Sequence, residues 1–393
     1  MKVIMIDDIR HIRELRKTWN DIYAVDPHAT AFDSWAWLCG WLESTPRKWL
    51  VLAVQQHDPL RQTQARDVQN GSTSIASESE PYVAFMAFSA RKKESKNNLS
   101  MGGYPHADHT GFVCLPKYVD QAIPALAVFV REKLQWDTLQ LLNVYDPRLD
   151  LFLSHLSSSR ISIQETKSTS CPYIPLPENW DQYFNTTLGS STRKGLKNDW
   201  NKIRRLSGFY VSEIQNGNAE SYIETLLSLW QSRWGLKSDD LYMDLRLEDV
   251  LNIKRSFLRS CFEDNRLWLN ILWDGETPIA AGAVFLDPAK NNFCILKIVA
   301  NYQYAQYSPG NIWCLYAIQY AIENGYRICD FGRRTEKYKF SLGSQERFNR
   351  NVVVVRMGPL KKMLTRLRGQ LQLRSRIIRL TGHSLTPTGG RVE

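Results

Sequence analysis

Three stretches of the 393-residue chain combine residue types that could do chemistry. The first is Ser308-Pro309-Gly310-Asn311, a turn that runs straight into an amphipathic helix. The opening N–H groups of a helix lack partners within it and lie at the positive end of its dipole, which suits a pyrophosphate. Glycine also lets a ligand approach the backbone closely. The same four residues equally begin helices that hold nothing. The second stretch follows the strand Arg-Ile-Cys-Asp-Phe-Gly that ends at Gly332: Arg333, Arg334, Lys337 and Lys339 form a basic loop at a strand's C-terminal end, where open α/β sheets bind ligands. The third is a helix carrying Arg193, Lys194, Lys197, Lys202, Arg204 and Arg205. It is either a solvated face or a surface for phosphate or an acidic substrate. Trp200 is its one aromatic residue, which argues against a stacking platform for nucleic acid.

Metal chemistry finds no support. The seven cysteines lie at 39, 114, 171, 261, 294, 314 and 329, with no CxxC and no Cys/His ligand spacing. Only His106 and His109 are close together among the histidines, and no HExxH surrounds them. We expect no metal site and no disulfide framework.

The elements that must position these groups follow from composition and periodicity. With 43% hydrophobic and 23% charged residues, the chain reads as globular, with length for two domains. The residues after Met1 reach charges at once, so no signal peptide is read and a cytoplasmic location is expected. The net charge is +10, and residues 361–393 hold a surplus of seven positive charges. A basic amphipathic helix is expected from Leu360 to Leu380. It would pack on the body, engage a partner, or touch anionic lipid at the inner membrane surface.

In the first half, apolar spacing marks helices at Ile9–Asp21, Trp35–Leu42 and Tyr118–Lys133, with strands at Trp49–Gln55, Pro81–Ala90 and Thr138–Asp146. A polar loop is read from His57 to Glu80. A boundary is placed at residues 158–178, rich in serine and proline. The second half reads as a basic helix, strand Phe209–Ile214, helices 219–234 and 247–263, three strands joined by the hairpin signals DGETP and PAKNN, helix 311–324 and a last strand. Strands flanked by helices on a partly antiparallel sheet mean a mixed α/β (α+β) architecture.

The order of motifs over residues 30–345 resembles the GNAT acyltransferase superfamily. Within it, the chain is similar to the double-domain CelD-type acetyltransferases associated with cellulose biosynthesis, which are related in fold to Fem-type aminoacyl transferases. The resemblance rests on Tyr304, Tyr307, Ser308, Pro309 and Gly310, then Gly325, Asp330, Phe331, Tyr338 and Lys339. It rests also on the serine-led basic helix Ser191–Leu206, and on FDSWAWLCGW followed by Gly102, Gly103, Asp108, Thr110 and Gly111. Where the family reads Arg-Gly-acid-Glu, this chain has Arg333, Arg334, Thr335 and Glu336.

This resemblance implies tandem GNAT-like domains at 1–165 and 175–358, the first degenerate, followed by a basic tail at 359–393. It implies an acyl-CoA-dependent N-acyltransferase, most simply moving acetyl from acetyl-CoA to an amine on a sugar, amino acid or related small metabolite. Ser308, Pro309, Gly310 and Asn311 would hold the cofactor, and its thioester would lie between two splayed parallel strands. Asp330 and Glu336 are then candidate bases if burial raises their pKa values, and Tyr338 a donor to the leaving sulfur. Arg193, Lys194, Arg333 and Lys339 would bind substrate. The rivals are a Fem-type transferase fed by aminoacyl-tRNA and a silent scaffold in envelope-polysaccharide synthesis.

Overall fold

The computed structural model describes residues 1–56, 81–93, 96–234 and 245–357. The polar loop from residue 57 to 80 and the basic tail from 359 onward lie outside the described residues.

Its strands are β1 (Lys2–Ile6), β2 (Lys48–Gln55), β3 (Tyr82–Lys93), β4 (Lys96–Met101), β5 (Val113–Cys114), β6 (Thr138–Val144) and β7 (Ile161–Pro175). They continue with β8 (Phe209–Glu213), β9 (Leu267–Asp274), β10 (Thr277–Asp287), β11 (Asn292–Ala300), β12 (Ile328–Asp330) and β13 (Gln345–Arg356). All belong to one sheet in the order β1-β2-β3-β4-β6-β13-β7-β12-β11-β10-β9-β8, with β5 paired to β3. The main helices are α1 (Ile9–Glu14), α2 (Arg16–Val25), α3 (Trp35–Ser44), α4 (Val119–Glu132) and α5 (Leu149–Leu156). After them come α6 (Ser190–Ile203), α7 (Ala219–Trp234), α8 (Leu247–Glu263), α9 (Pro309–Glu323) and the single turn α10 (Lys337–Ser341).

Two neighbouring pairs in this sheet are parallel, β4 with β6 and β11 with β12. A parallel pair needs a crossover, and α4 and α9 supply them. The unit strand, antiparallel strand, helix, parallel strand therefore occurs once in each half, as β3-β4-α4-β6 and β10-β11-α9-β12. The architecture is the expected mixed α/β one, with a single large sheet flanked by helices.

Alternation along the strands sorts the core into faces. Cys294 and Val299 of β11 pack with α7, α8 and α3, while Phe293, Ile295 and Ile298 pack with α9 and α6. On α8, Val250, Ile253, Phe257, Leu258 and Cys261 recur at helical spacing and are buried. Across the two halves, α3 lies against α8 so closely that a Cβ on Gly40 would fall 2.6 Å from the Phe257 Cα. The Trp37 and Phe257 rings meet there at 5.3 Å.

Three expectations change. The stretch read as an inter-domain boundary is mostly β7, bonded on one side to β13 and on the other to β12. From Ser162 to Lys167 its side chains stay exposed, so no apolar alternation marks it as a strand. The single N-terminal helix is two, sharing Leu15 as cap. The long basic helix is confined to α6, with a short helical turn before it. Among the described residues, no helix is long and apolar enough to cross a membrane.

Candidate active site

β11 and β12 are paired at only three positions, Asn292 with Ile328, Phe293 with Cys329 and Cys294 with Asp330. Beyond Asp330 the chain turns away: the Phe331 amide donates to Pro172 O at 3.0 Å and the Arg334 amide to Ser170 O at 3.2 Å, both on β7. β11 meanwhile runs on to Ala300. The two parallel strands therefore part, as the sequence reading requires. On the other edge of β11 the register with β10 steps from Ala283–Lys297 to Val284–Ile295, leaving Leu296 in a β-bulge. Bulges of this kind re-aim backbone and side chains and gather beside active sites.

A cavity of about 320 Å³ occupies the opening. It touches Ile295, Leu296, Lys297 and Ile298. Successive strand residues point to opposite faces, so a space that touches four in a row lies along the strand's open edge. Phe331, Arg333, Arg334, Glu336 and Tyr338 form the other lip, and Trp230, Lys254 and Phe257 of α7 and α8 form the back. Phe32, Trp37, His106 and Asp108 come from the first half. The volume is at the lower end of the range for small-ligand sites.

The lip is held by two devices. Lys339 is buried, and its Nζ donates to the carbonyls of Phe331 (3.1 Å), Arg333 (2.8 Å) and Arg334 (3.0 Å). Its three donors are thereby used, with the Glu336 carboxylate alongside at 2.9 Å. Arg333 donates through Nε to Asp108 Oδ1 at 2.7 Å and through Nη2 to Pro105 O at 2.7 Å, clasping the two halves together. Gly332 makes that clasp possible: its φ is +63°, and a Cβ there would lie 2.0 Å from Asp108 Oδ2.

Beneath the lip is a buried ionic network. Asp330 Oδ2 meets His109 Nε2 at 3.0 Å and also accepts from Arg347. His109 Nδ1 lies 2.9 Å from Asn349 Oδ1, whose amide nitrogen in turn donates to Asp108 O at 2.6 Å. Asn349 Oδ1 and Asp330 Oδ2 face the two imidazole nitrogens, with Arg347 Nη2 also 3.2 Å from Nε2, and the adjacent carboxylate favours the imidazolium. Burial would lower its pKa, but the Asp330 carboxylate raises it to about 10. Burial would raise the Asp330 pKa, but Arg347 and then His109 hold it well below the usual carboxylate range. His106 is the opposite case: burial, then Lys254, Arg47, Lys297 and Arg333, push it well below the ordinary imidazole value and keep it neutral.

The expected site residues divide accordingly. Arg333, Glu336, Tyr338 and Lys339 come together around the cavity. Asp330 does not serve as a base, because two cations hold it ionised at full burial. Lys339 is engaged within the chain and not with a substrate, because its ammonium group lies on the loop carbonyls and beside the Glu336 carboxylate. Arg193 and Lys194 are not at this cavity. Arg193 Nη1 closes a turn by donating to Asn185 O and Leu188 O, and Lys194 is exposed on α6. That helix packs against α9 and the turn Tyr302–Tyr307, beside the expected cofactor loop. In the loop, Ser308 is left-handed (φ 50°) and Pro309 has no N–H. The Asn311 and Ile312 amides turn back onto Ser308 O at 3.0 and 3.2 Å. Gly310 is then the first-turn donor outside those bonds, and its position faces Ala300 at the end of β11.

His106, Asp108, His109, Lys254 and Lys297 were not chosen from the sequence. Two carried a readable signal: Lys254 interrupts the apolar face of α8 and Lys297 the apolar run of β11.

Residues 190–340 match the family model described as Acetyltransferase (GNAT) domain. No curated protein matches the chain in sequence. Among solved structures, FemX aligns over 93% of this chain and 99% of its own, with TM-score 0.57 and 10% identity. The C-terminal domain of a putative lysylphosphatidylglycerol synthetase from Agrobacterium fabrum aligns over 90% and 95%, with TM-score 0.48 and 10% identity. A tandem GNAT protein from the clavulanic acid biosynthesis pathway aligns over 91% and 99%, with TM-score 0.46 and 12% identity. The FemX likeness shows that nearly the whole chain follows a known fold. The match at residues 190–340 and the parted strands together support an acyltransferase.

Proposed function

We propose that the protein is an acyl-CoA-dependent N-acyltransferase acting on a small amine, with acetyl the simplest acyl group. The observation that carries this reading is the cavity along the open edge of β11, with the α9 N-terminus at the far end of that strand. The Gly310 amide would hold the pyrophosphate at the helix N-terminus, and exposed Lys194 on neighbouring α6 adds positive charge nearby. The cofactor supplies an activated carbonyl whose bond to sulfur is weak.

The remaining work falls to this chain's own residues. Backbone N–H groups along the open edge and the bulge of β11 can donate to an oxygen gaining negative charge. The cationic surroundings of the cavity favour a neutral over a protonated amine, so the acceptor arrives as a nucleophile. Its lone pair forms the C–N bond as the C–S pair leaves with sulfur. The surplus proton on nitrogen passes to sulfur, and Tyr338 at the lip can relay it. Glu336, also at the lip, can take that proton when sulfur leaves as thiolate. The CelD-type resemblance of the loop and helix motifs supports the choice of acyl-CoA over aminoacyl-tRNA.

Calorimetric titration with acetyl-CoA and longer acyl-CoAs tests this directly. Saturable one-to-one uptake is expected, followed by amine-dependent release of free thiol. Absence of acyl-CoA uptake, with thermal stabilisation by aminoacyl-tRNA instead, would reject it in favour of the Fem-type reading.

A further inference from the structure

The cavity is polar at its lip and apolar at its back. At the lip, Arg333 is bonded to Asp108 and Lys339 to the loop carbonyls. The back is lined by Leu226, Leu227 and Trp230 of α7 and by Val250, Phe257 and Leu258 of α8. Lys254 and Lys297 also reach this wall, but both are engaged within the chain and lie against the Trp230 ring, 4.8 and 5.4 Å from its centroid. Among the described residues, the wall closes on Trp37 and Phe257, whose rings meet at 5.3 Å. The helices that carry them pack so closely at Gly40 that this floor has little give. A cavity of about 320 Å³ holds roughly ten heavy atoms at ~30 Å³ each, whereas acetyl has three. An apolar wall left empty or wet forfeits the burial and the contacts that a matching chain supplies.

The proton-handling side chains give the direction. In the acyl-transfer reading Glu336 and Tyr338 act on the amine nitrogen at the lip, so the amine meets the reacting carbon from that side. The rest of the acyl group then runs away from the lip, toward α7 and α8. Resting on that reading, we propose that the acyl group is an aliphatic chain of about four to eight carbons, seated against α7 and α8 and measured by the Trp37–Phe257 floor. The bond changes are those of acetyl transfer: C–N forms as C–S breaks, and the surplus proton on nitrogen passes to sulfur. Each methylene laid on the wall adds up to about fourfold in affinity. Growth of the chain stops helping once its end meets Trp37 and Phe257.

The test is calorimetric titration of the full chain with acetyl-, butyryl-, hexanoyl-, octanoyl- and dodecanoyl-CoA. Hexanoyl-CoA is expected to bind at least about tenfold tighter than acetyl-CoA, and dodecanoyl-CoA no tighter than octanoyl-CoA. Acetyl-CoA that binds as tightly as hexanoyl-CoA overturns the proposal. So does affinity that keeps climbing through dodecanoyl, which marks adsorption of a greasy chain and not a measured pocket. Val250→Phe narrows the back and should flatten the series; a series it leaves unchanged places the chain elsewhere and overturns the proposal. If melts show that this variant does not fold, Phe257→Leu decides. Loosening the floor should move the tightest binder to a longer chain, and an optimum that stays in place counts against the proposal. Uptake that ignores chain length removes this inference alone, whereas no uptake of any acyl-CoA sinks the acyl-transfer reading and the inference with it.

Discussion

Gly310 separates binding from folding, because stability and affinity should move in opposite directions when it is replaced. Its backbone is helical, and a Cβ there would meet the Ala300 Cβ at 3.6 Å, an ordinary van der Waals contact. Gly310→Ala therefore fits without displacement. Replacing glycine by alanine in a helix gains about 0.5–1 kcal/mol, largely by restricting the unfolded chain. In a chain of this size that corresponds to a rise of about 1 °C in Tm. The same methyl group intrudes where a phosphate would approach the Gly310 amide, and a hydrogen bond to a charged group contributes about 1.5–3 kcal/mol. Acetyl-CoA affinity should then fall roughly 10- to 100-fold, and Gly310→Val should fall at the far end of that range. Thermal melts of the unliganded protein give the first quantity and calorimetric titration the second. The reasoning is refuted if Gly310→Val binds acetyl-CoA as tightly as the wild type. It is refuted equally if Gly310→Ala loses affinity only in step with a falling Tm, since that would mean a damaged helix and not a blocked amide.

The buried imidazolium gives a pH signature. His109 has a folded pKa raised to about 10 against about 6.5 unfolded, so its stabilisation is complete below pH 6.5 and disappears as pH climbs through 10. Melts from pH 6 to 10.5 should show Tm falling on the alkaline side, and His109→Gln should flatten that limb while lowering stability at neutral pH. Lys339→Met leaves three loop carbonyls without their donor. A loss of ~1–3 kcal/mol is expected, with transfer rate reduced more than acetyl-CoA affinity; an unchanged rate in a folded variant would contradict the anchoring role. Gly282→Ala puts a Cβ 2.1 Å from the fully buried Trp313 ring. Overpacking of this kind costs ~1–3 kcal/mol or more, so a melt unchanged by the substitution would show that Trp313 has room to move.

Legibility followed the physical source of each signal. Helices α7 and α8 matched their expected bounds, because a one-sided apolar period fixes a helix locally. The DGETP hairpin was equally clear, and Gly275 takes the positive φ (57°) that its turn requires. β7 was hidden because nearly all of its first half faces solvent. The site was half legible. The lip residues Arg333, Glu336 and Tyr338 lie next to one another in sequence and in space. The opposing wall comes from residues about 200 positions earlier, and spacing along a chain says nothing of that return. Asp330 shows why a residue type alone misleads. A buried carboxylate could have been a base with raised pKa, and only the contacts with Arg347 and His109 reverse the sign.

The sheet explains why the first half supplies that wall. In the β10-β11-α9-β12 unit, the space after the third residue pair stays open. The corresponding space in β3-β4-α4-β6 is filled by the chain itself. β4 ends at Met101, and the following loop returns beside β6, with the Thr110 amide donating to Asn143 O at 2.9 Å and Thr110 bridged to Val144. Asn143 Nδ2 fixes the same loop through Ala107 O at 3.2 Å. A loop wedged into its own gap leaves no room there for a ligand between the two strands. The filling is also what projects His106, Asp108 and His109 toward the other half, where Asp108 meets Arg333 and His109 meets Asp330. β13 completes the joint: it pairs with β6 on one edge and β7 on the other, and it carries Arg347 and Asn349 into the network. The filled gap of one half and the lip of the other are therefore one structural feature, and a change to the loop around residues 104–109 acts at Arg333 and Asp330 directly.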